Sequence, residues 1–156
     1  MDEDKRCQSV VFVCSGNICR SPVAEKIFRA RLAEAGLEDA VTVSSAGIGD
    51  WHVGEPMDRR AASTLERAGY ETTHTARRID AGQLRADLLV AATEDHVRDL
   101  VANGADPERV VLLRAFDPEA PEGAEVPDPY YGGPGGFDEV IAMVEAAMPG
   151  LVERVR

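Results

Sequence analysis

The chain has 156 residues, 44% of them hydrophobic, with 17 Lys and Arg against 28 Asp and Glu for a net charge of -11. That length predicts one domain over residues 1–156 with an ordinary core, and the acidic balance excludes the basic field a nucleic-acid partner needs. Three cysteines make no secreted disulfide framework, the opening MDEDKRCQS lacks a signal-peptide core, and no uncharged apolar run nears the ~20 residues that cross a bilayer. The expectation is a cytoplasmic protein without a membrane partner, residues 1–8 being a flexible N-terminal extension; export by a leaderless route leaves no mark in such a reading.

The first apolar run, VVFVC (Val10 to Cys14), predicts a strand buried on both faces, as in a parallel sheet. The loop SGNICRSP follows. Then Val23, Ile27 and Ala30, flanked by Ala24 and Phe28, form the stripe of a helix with Pro22 at its first position and Gly36 as its stop. AVTVSS (Ala40 to Ser45), ADLLVAA (Ala86 to Ala92) and RVVLL (Arg109 to Leu113) predict three more parallel strands, and helices are expected over Met57 to Ala68, Glu94 to Ala102 and from Phe137 onward. Between the last strand and last helix, Phe116 to Gly136 is too rich in Pro and Gly to be regular. Alternation of strand and helix gives an α/β domain with a four-stranded parallel sheet. Sites in such sheets form beyond the carboxyl ends of the strands, where Cys14 stands.

The first loop carries the strongest chemistry. A cysteine at the junction of a strand and a helix N-terminus faces unpaired amides, and Arg20 adds a full charge, so the thiolate, the attacking form, is favoured at Cys14. The amides of Ser15, Gly16, Asn17, Ile18, Cys19, Arg20 and Ser21, turned inward, make a nest for a tetrahedral oxyanion, and the planar fork of Arg20 binds two of its oxygens. Gly16 permits the required backbone angles, and Asn17 tolerates the left-handed conformation better than most residues. Such a pocket suits phosphate attacked in line by sulfur.

A leaving oxygen needs a proton, and VPDPYYGG in the irregular segment offers Asp128 as the acid. Tyr130 and Tyr131 beside it supply aromatic walls for a ring, which favours a phenolic leaving group.

The motifs C-x5-R-S-P, SAGIGDWHVG (Ser45 to Gly54), HTARR (His74 to Arg78), FDP (Phe116 to Pro118) and DPYYG (Asp128 to Gly132) occur in one order and spacing. Over about Ser9 to Val155 the chain resembles the low-molecular-weight protein tyrosine phosphatases, especially their bacterial, actinobacterial members. The resemblance implies a three-layer fold with strand order 2-1-3-4 and helices on both faces. It implies hydrolysis of phosphotyrosine in proteins: Cys14 attacks, Asp128 protonates the phenolate, and Asp128 then helps water hydrolyse the cysteinyl phosphate. No cofactor or metal takes part. The implied partners are tyrosine-phosphorylated proteins, with inorganic phosphate or vanadate as inhibitors. Ser21 steadies the thiolate, Asn17 and His74 hold the loop's shape, and Trp51, His52, Tyr130 and Tyr131 line the substrate entrance. Many members carry an acidic residue soon after the third strand, where this chain has Thr93.

Other readings stand beside this one. Taken alone, Cys14 is a small apolar filler, His74 a surface or core histidine, and Trp51 with the tyrosine pair a cap on the core. Zinc is disfavoured, since Cys14 and Cys19 have no second pair and His52, His74 and His96 are scattered. GGPGG (Gly132 to Gly136) lacks the Lys-Ser or Lys-Thr of a nucleotide loop. Three functional rivals share the pattern. An arsenate reductase needs a downstream cysteine pair, and no cysteine follows Cys19. A protein-arginine phosphatase has threonine where Ile18 stands. A silent phosphopeptide-binding module would lack the nucleophile or the acid.

Overall fold

The computed structural model describes residues 8–131 and 136–156. Its strands are β1 (Gln8–Cys14), β2 (Val41–Gly47), β3 (Leu88–Ala91) and β4 (Val110–Leu112), all parallel and in the order β2-β1-β3-β4. Five α-helices accompany them: α1 (Arg20–Glu34), α2 (Arg59–Arg67), α3 (Ala81–Leu84), α4 (Glu94–Ala102) and α5 (Gly136–Val155).

β1 is central because Val10 to Cys14 can be buried on both faces. Its alternate side chains feed two cores. Val10 and Phe12 pack with Val23, Ile27 and Phe28 of α1, Leu65 of α2, and Val144 and Met148 of α5. Val11 and Val13 pack on the opposite face with Leu89, Leu100 of α4 and the partly buried Leu84 of α3. The result is a three-layer α/β sandwich, in the strand order the resemblance implies.

Several details differ from the sequence expectation. β2 is an edge strand on which Thr42 is exposed between buried Val41 and Val43, so it alternates rather than burying both faces. α1 begins at Arg20, which puts Pro22 at the third position; proline is tolerated throughout a first turn because those N–H groups have no intrahelical acceptor. α2 starts only at Arg59, since the Asp58 side chain accepts from the Arg60 amide at 2.8 Å and caps the helix there. α3 was not anticipated: its single turn is held by reciprocal bonds between Asp80 and Gln83. Of the expected N-terminal extension, residues 1–7 lie outside the described residues and Gln8 opens β1. No helix among the described residues is long and apolar enough to cross a membrane.

The carboxyl ends of β1, β2 and β3 are stitched together. The amides of Ile48 and Gly49 donate to the carbonyls of Cys14 and Ser15, and the Ala92 amide donates to Val13. Further along, the amide of Val126 donates to the Ala92 carbonyl at 2.9 Å, bringing the irregular segment over the same edge.

Phe28 is fully buried and meets Phe12 edge to face, ring centroids 5.6 Å apart. Phe28→Ala is expected to cost about 3–5 kcal/mol of stability, read from urea denaturation, because the cavity lies where two helices and the sheet meet and cannot collapse.

Candidate active site

Where β1 ends, the chain turns through Ser15 to Cys19 and enters α1. Cys19 occupies the N-cap position, and its side chain makes no cap bond to the first turn. Asn17 takes a left-handed backbone, φ 62°, which turns the loop. Gly47 faces that turn closely: a Cβ there would stand 2.8 Å from the Ser15 carbonyl oxygen and 3.0 Å from the Gly16 carbonyl carbon. Any side chain at Gly47 would push the loop off β2.

The loop encloses a buried sulfur. Cys14 Sγ lies 2.9 Å from Ser21 Oγ and accepts from the Ser21 amide at 3.4 Å. Asn17 Nδ2 donates to Ser21 Oγ at 2.9 Å and to Ser45 Oγ at 3.0 Å, and Ser45 donates to the Glu25 carboxylate at 2.6 Å. Both amide protons of Asn17 are thereby spent, and the Ser21 hydroxyl lies within reach of the Cys14 sulfur at 2.9 Å and the Ala46 carbonyl at 3.5 Å. The Asn17 carbonyl accepts from His74 Nε2 at 2.7 Å, and Asn17 Oδ1 accepts from the Arg77 amide at 2.9 Å. Burial holds the His74 pKa below its ordinary value, against the pull of its bond to Asn17, which keeps the ring neutral.

Arg20 is 6% exposed and held at three points. It donates to the Val126 carbonyl at 3.1 Å and to Ser15 Oγ at 3.4 Å, and its outer nitrogen stands 3.7 Å from Asp128 Oδ2. Asp128 is more open, and its other oxygen accepts from the Tyr130 amide at 3.0 Å. Cys14, Ser15, Gly16, Ile18, Cys19, Arg20, Trp51, His52, Asp128 and Tyr130 line one cleft of about 540 Å³. Trp51, 68% exposed, and Tyr130 form its lip, with the His52 and Tyr130 rings 6.5 Å apart. The side chain of Tyr131 lies outside the described residues.

Cys14 and Cys19 are both free and buried. They are not equivalent. Burial, followed by the charges of Asp58, Cys14 and Asp128, pushes the Cys19 thiol well above its ordinary pKa. A protonated thiol is a poor nucleophile, whereas Cys14 collects the hydrogen bonds. Among the described residues no group of three or more His, Cys, Asp or Glu side chains converges as metal ligands.

Residues 9–156 match the family model for the low molecular weight phosphotyrosine protein phosphatases. The chain belongs to that family. It is 52% identical over 143 residues to the low molecular weight protein-tyrosine phosphatase A of Mycobacterium tuberculosis, covering 91% of this chain and 88% of that protein. It is 48% identical over 152 residues to a Streptomyces coelicolor member, covering 94% and 93%. The crystal structure of a protein tyrosine phosphatase from Entamoeba histolytica superposes with a TM-score of 0.89 at 29% identity, covering 94% of this chain and 96% of that one.

In this phosphatase the structure brings together the predicted loop, Arg20, Asp128, His74 and the lip residues. It adds others the sequence did not single out. Ser45 and Glu25 extend the Asn17 network, and Arg60 lies over the rings of Tyr130 and Phe137 at 5.3 and 4.8 Å while pairing with Asp58 at 3.0 Å. His96, read as one of three scattered histidines, is 4% exposed and bonds to Ser15 at 2.9 Å. Its position one turn into α4, three residues after a Thr cap, was the available signal.

Both buried imidazoles have depressed pKa values, with His96 lowered to about 4, chiefly by burial and next by Arg20. The unfolded chain binds a proton at His96 near pH 6.5 and the folded chain only near pH 4, so the contribution of this histidine falls as pH drops from about 6.5 toward about 4; His74, shifted in the same direction, adds to the loss below about 6.5. Each histidine adds a slope of up to about 1.4 kcal/mol per pH unit. Urea denaturation at pH 7 and pH 5 is expected to register the loss, and His96→Gln to reduce it.

Proposed function

We propose that this phosphatase hydrolyses phosphotyrosine in proteins through a cysteinyl-phosphate intermediate. The observation that carries the reading is the meeting, in one cleft, of a hydrogen-bonded Cys14 sulfur with Arg20 and Asp128 held 3.7 Å apart. Cys14, as thiolate, attacks phosphorus in line; the S–P bond forms as the P–O bond to the phenol breaks. Asp128, in its acid form, gives its proton to the departing oxygen. The Ser15 to Arg20 amides and the Arg20 fork hold the non-bridging oxygens as charge shifts onto the phosphoryl group. Water then attacks the cysteinyl phosphate, Asp128 accepts its proton, and phosphate leaves with Cys14 restored as thiolate.

The incoming dianion competes with Asp128 for Arg20, which frees the carboxyl to turn toward the leaving oxygen. Ile18 at the floor and Trp51, His52 and Tyr130 at the lip form walls suited to a flat ring. Their apolar surface favours an aryl phosphate over phosphoserine or phosphoarginine. Phosphate and vanadate, as tetrahedral and expanded oxyanions, should compete for the same amides.

Rapid mixing with an aryl phosphate should give a stoichiometric burst of phenol, and Cys14→Ser should abolish it while phosphate still binds. Asp128→Asn should slow turnover by about 10²–10⁴ for poor leaving groups and far less for acidic phenols. An equal loss across the leaving-group series would assign Asp128 a structural role.

Trp51→Ala is expected to raise KM for a phosphotyrosine peptide severalfold, with a smaller change for a small alkyl phosphate. Steady-state kinetics on both substrates, with a phosphoarginine peptide as a third, would test the specificity; comparable phosphoarginine turnover would overturn it.

A further inference from the structure

Behind the cleft, on the side away from Asn17, a second set of polar contacts reaches the phosphate loop from α4. Thr93, the N-cap of that helix, accepts from the backbone amide of His96 at 3.3 Å and lies 3.1 Å from His96 Nδ1. His96 Nε2 lies 2.9 Å from Ser15 Oγ, and Ser15 Oγ accepts from Arg20 at 3.4 Å.

Two proton orders satisfy these distances. Thr93 Oγ1 accepts from the backbone amide and has a second lone pair, so in one order it accepts from Nδ1 while Nε2 accepts from Ser15, and in the other it gives its own proton to Nδ1. In the second order the one proton of a neutral imidazole sits on Nε2, where it is donated to Ser15. Burial and the neighbouring Arg20 charge keep the ring neutral, with Asp99, Asp95 and Asp128 pulling weakly the other way. In that order Ser15 Oγ accepts from both His96 and Arg20, and its own proton is turned to the cleft it lines.

We propose that Thr93 and His96 are positioning residues which fix Ser15 as a hydroxyl donor to a phosphoryl oxygen, adding a neutral donor to the loop amides and Arg20. The inference rests on the reading of the cleft given above. It assigns Thr93 a task beyond capping: its hydroxyl selects the ring tautomer. A carboxylate at position 93 would accept from the ring rather than donate to it, and would hold Nδ1 protonated instead.

Wild-type protein labelled with ¹⁵N at histidine should give long-range correlations in which His96 is neutral and protonated on Nε2. Protonation on Nδ1 would overturn the proposal. Inorganic phosphate titrated into the wild type, Ser15→Ala, His96→Leu and the Ser15→Ala/His96→Leu double variant, each checked by its melting transition, supplies the second readout. His96→Leu should weaken phosphate about tenfold, the size of one hydrogen bond to a charged acceptor, yet change affinity less than about twofold when Ser15 is already alanine. His96→Gln, whose side-chain amide can replace the Nε2 proton, should recover most of the loss. A His96→Leu defect that persists in the Ser15→Ala background would make His96 merely structural and overturn the relay alone. Wild type that binds no phosphate would overturn the reading of the cleft, and the relay with it. Should His96→Leu fail to fold, the tautomer and the His96→Gln titration still decide.

Discussion

The backbone at Asn17 is the constraint on which the rest of the site depends. It stands in the left-handed region, the one non-glycine residue among those described to do so, at a cost of roughly 1 kcal/mol. The residue is completely buried, and four hydrogen bonds hold it: two from its amide nitrogen, one to its side-chain oxygen and one to its carbonyl. These come from α1, β2 and the His74 to Arg78 segment, so three separate parts of the chain fix one turn. Fixing the turn fixes the loop that leads into α1, which on the proposed reading spares it a rearrangement when an anion arrives.

Charge is managed locally rather than globally. A net charge of -11 repels a dianion at long range, yet exposed carboxylates more than about 8–10 Å away are largely screened. Close to the loop, Arg20 is the buried cation, and burial disfavours the charged form of the two imidazoles hydrogen-bonded to the loop, His74 and His96. A charged histidine in either place would cost stability on burial.

Much of this was legible in the residues. VVFVC read as a strand buried on both faces, since every side chain in it is apolar, and C-x5-R read as a cation in the same loop as the thiol. The periodicity of α1 and α4 was likewise open to inspection. The exact start of α1 was not, because Pro22 is acceptable anywhere in a first turn. Nor was α3, a single turn fixed by Asp80 and Gln83 rather than by an apolar stripe. His96 illustrates the deeper limit. Local sequence puts it on a helix, but that the helix abuts Ser15 follows only from the placement of β3 beside β1. Ser45 and Glu25 escaped notice for the same reason: their partners lie 28 and 20 residues away.

The long segment between β4 and α5 is not a single unit. At Val126 it is nailed down twice, its amide to Ala92 and its carbonyl to Arg20, while Glu125 just before it is tied to the Glu94 amide and to Arg114. Asp128 is only two residues past that fixed point, so its backbone stays within ~7 Å of it. It is a short lever on a rigid pivot. The stretch between the FDP motif and that pivot, residues 119–124, can change in length or composition without moving the carboxyl group. Divergence in that stretch would alter the outer contour of the protein while the carboxyl group kept its address.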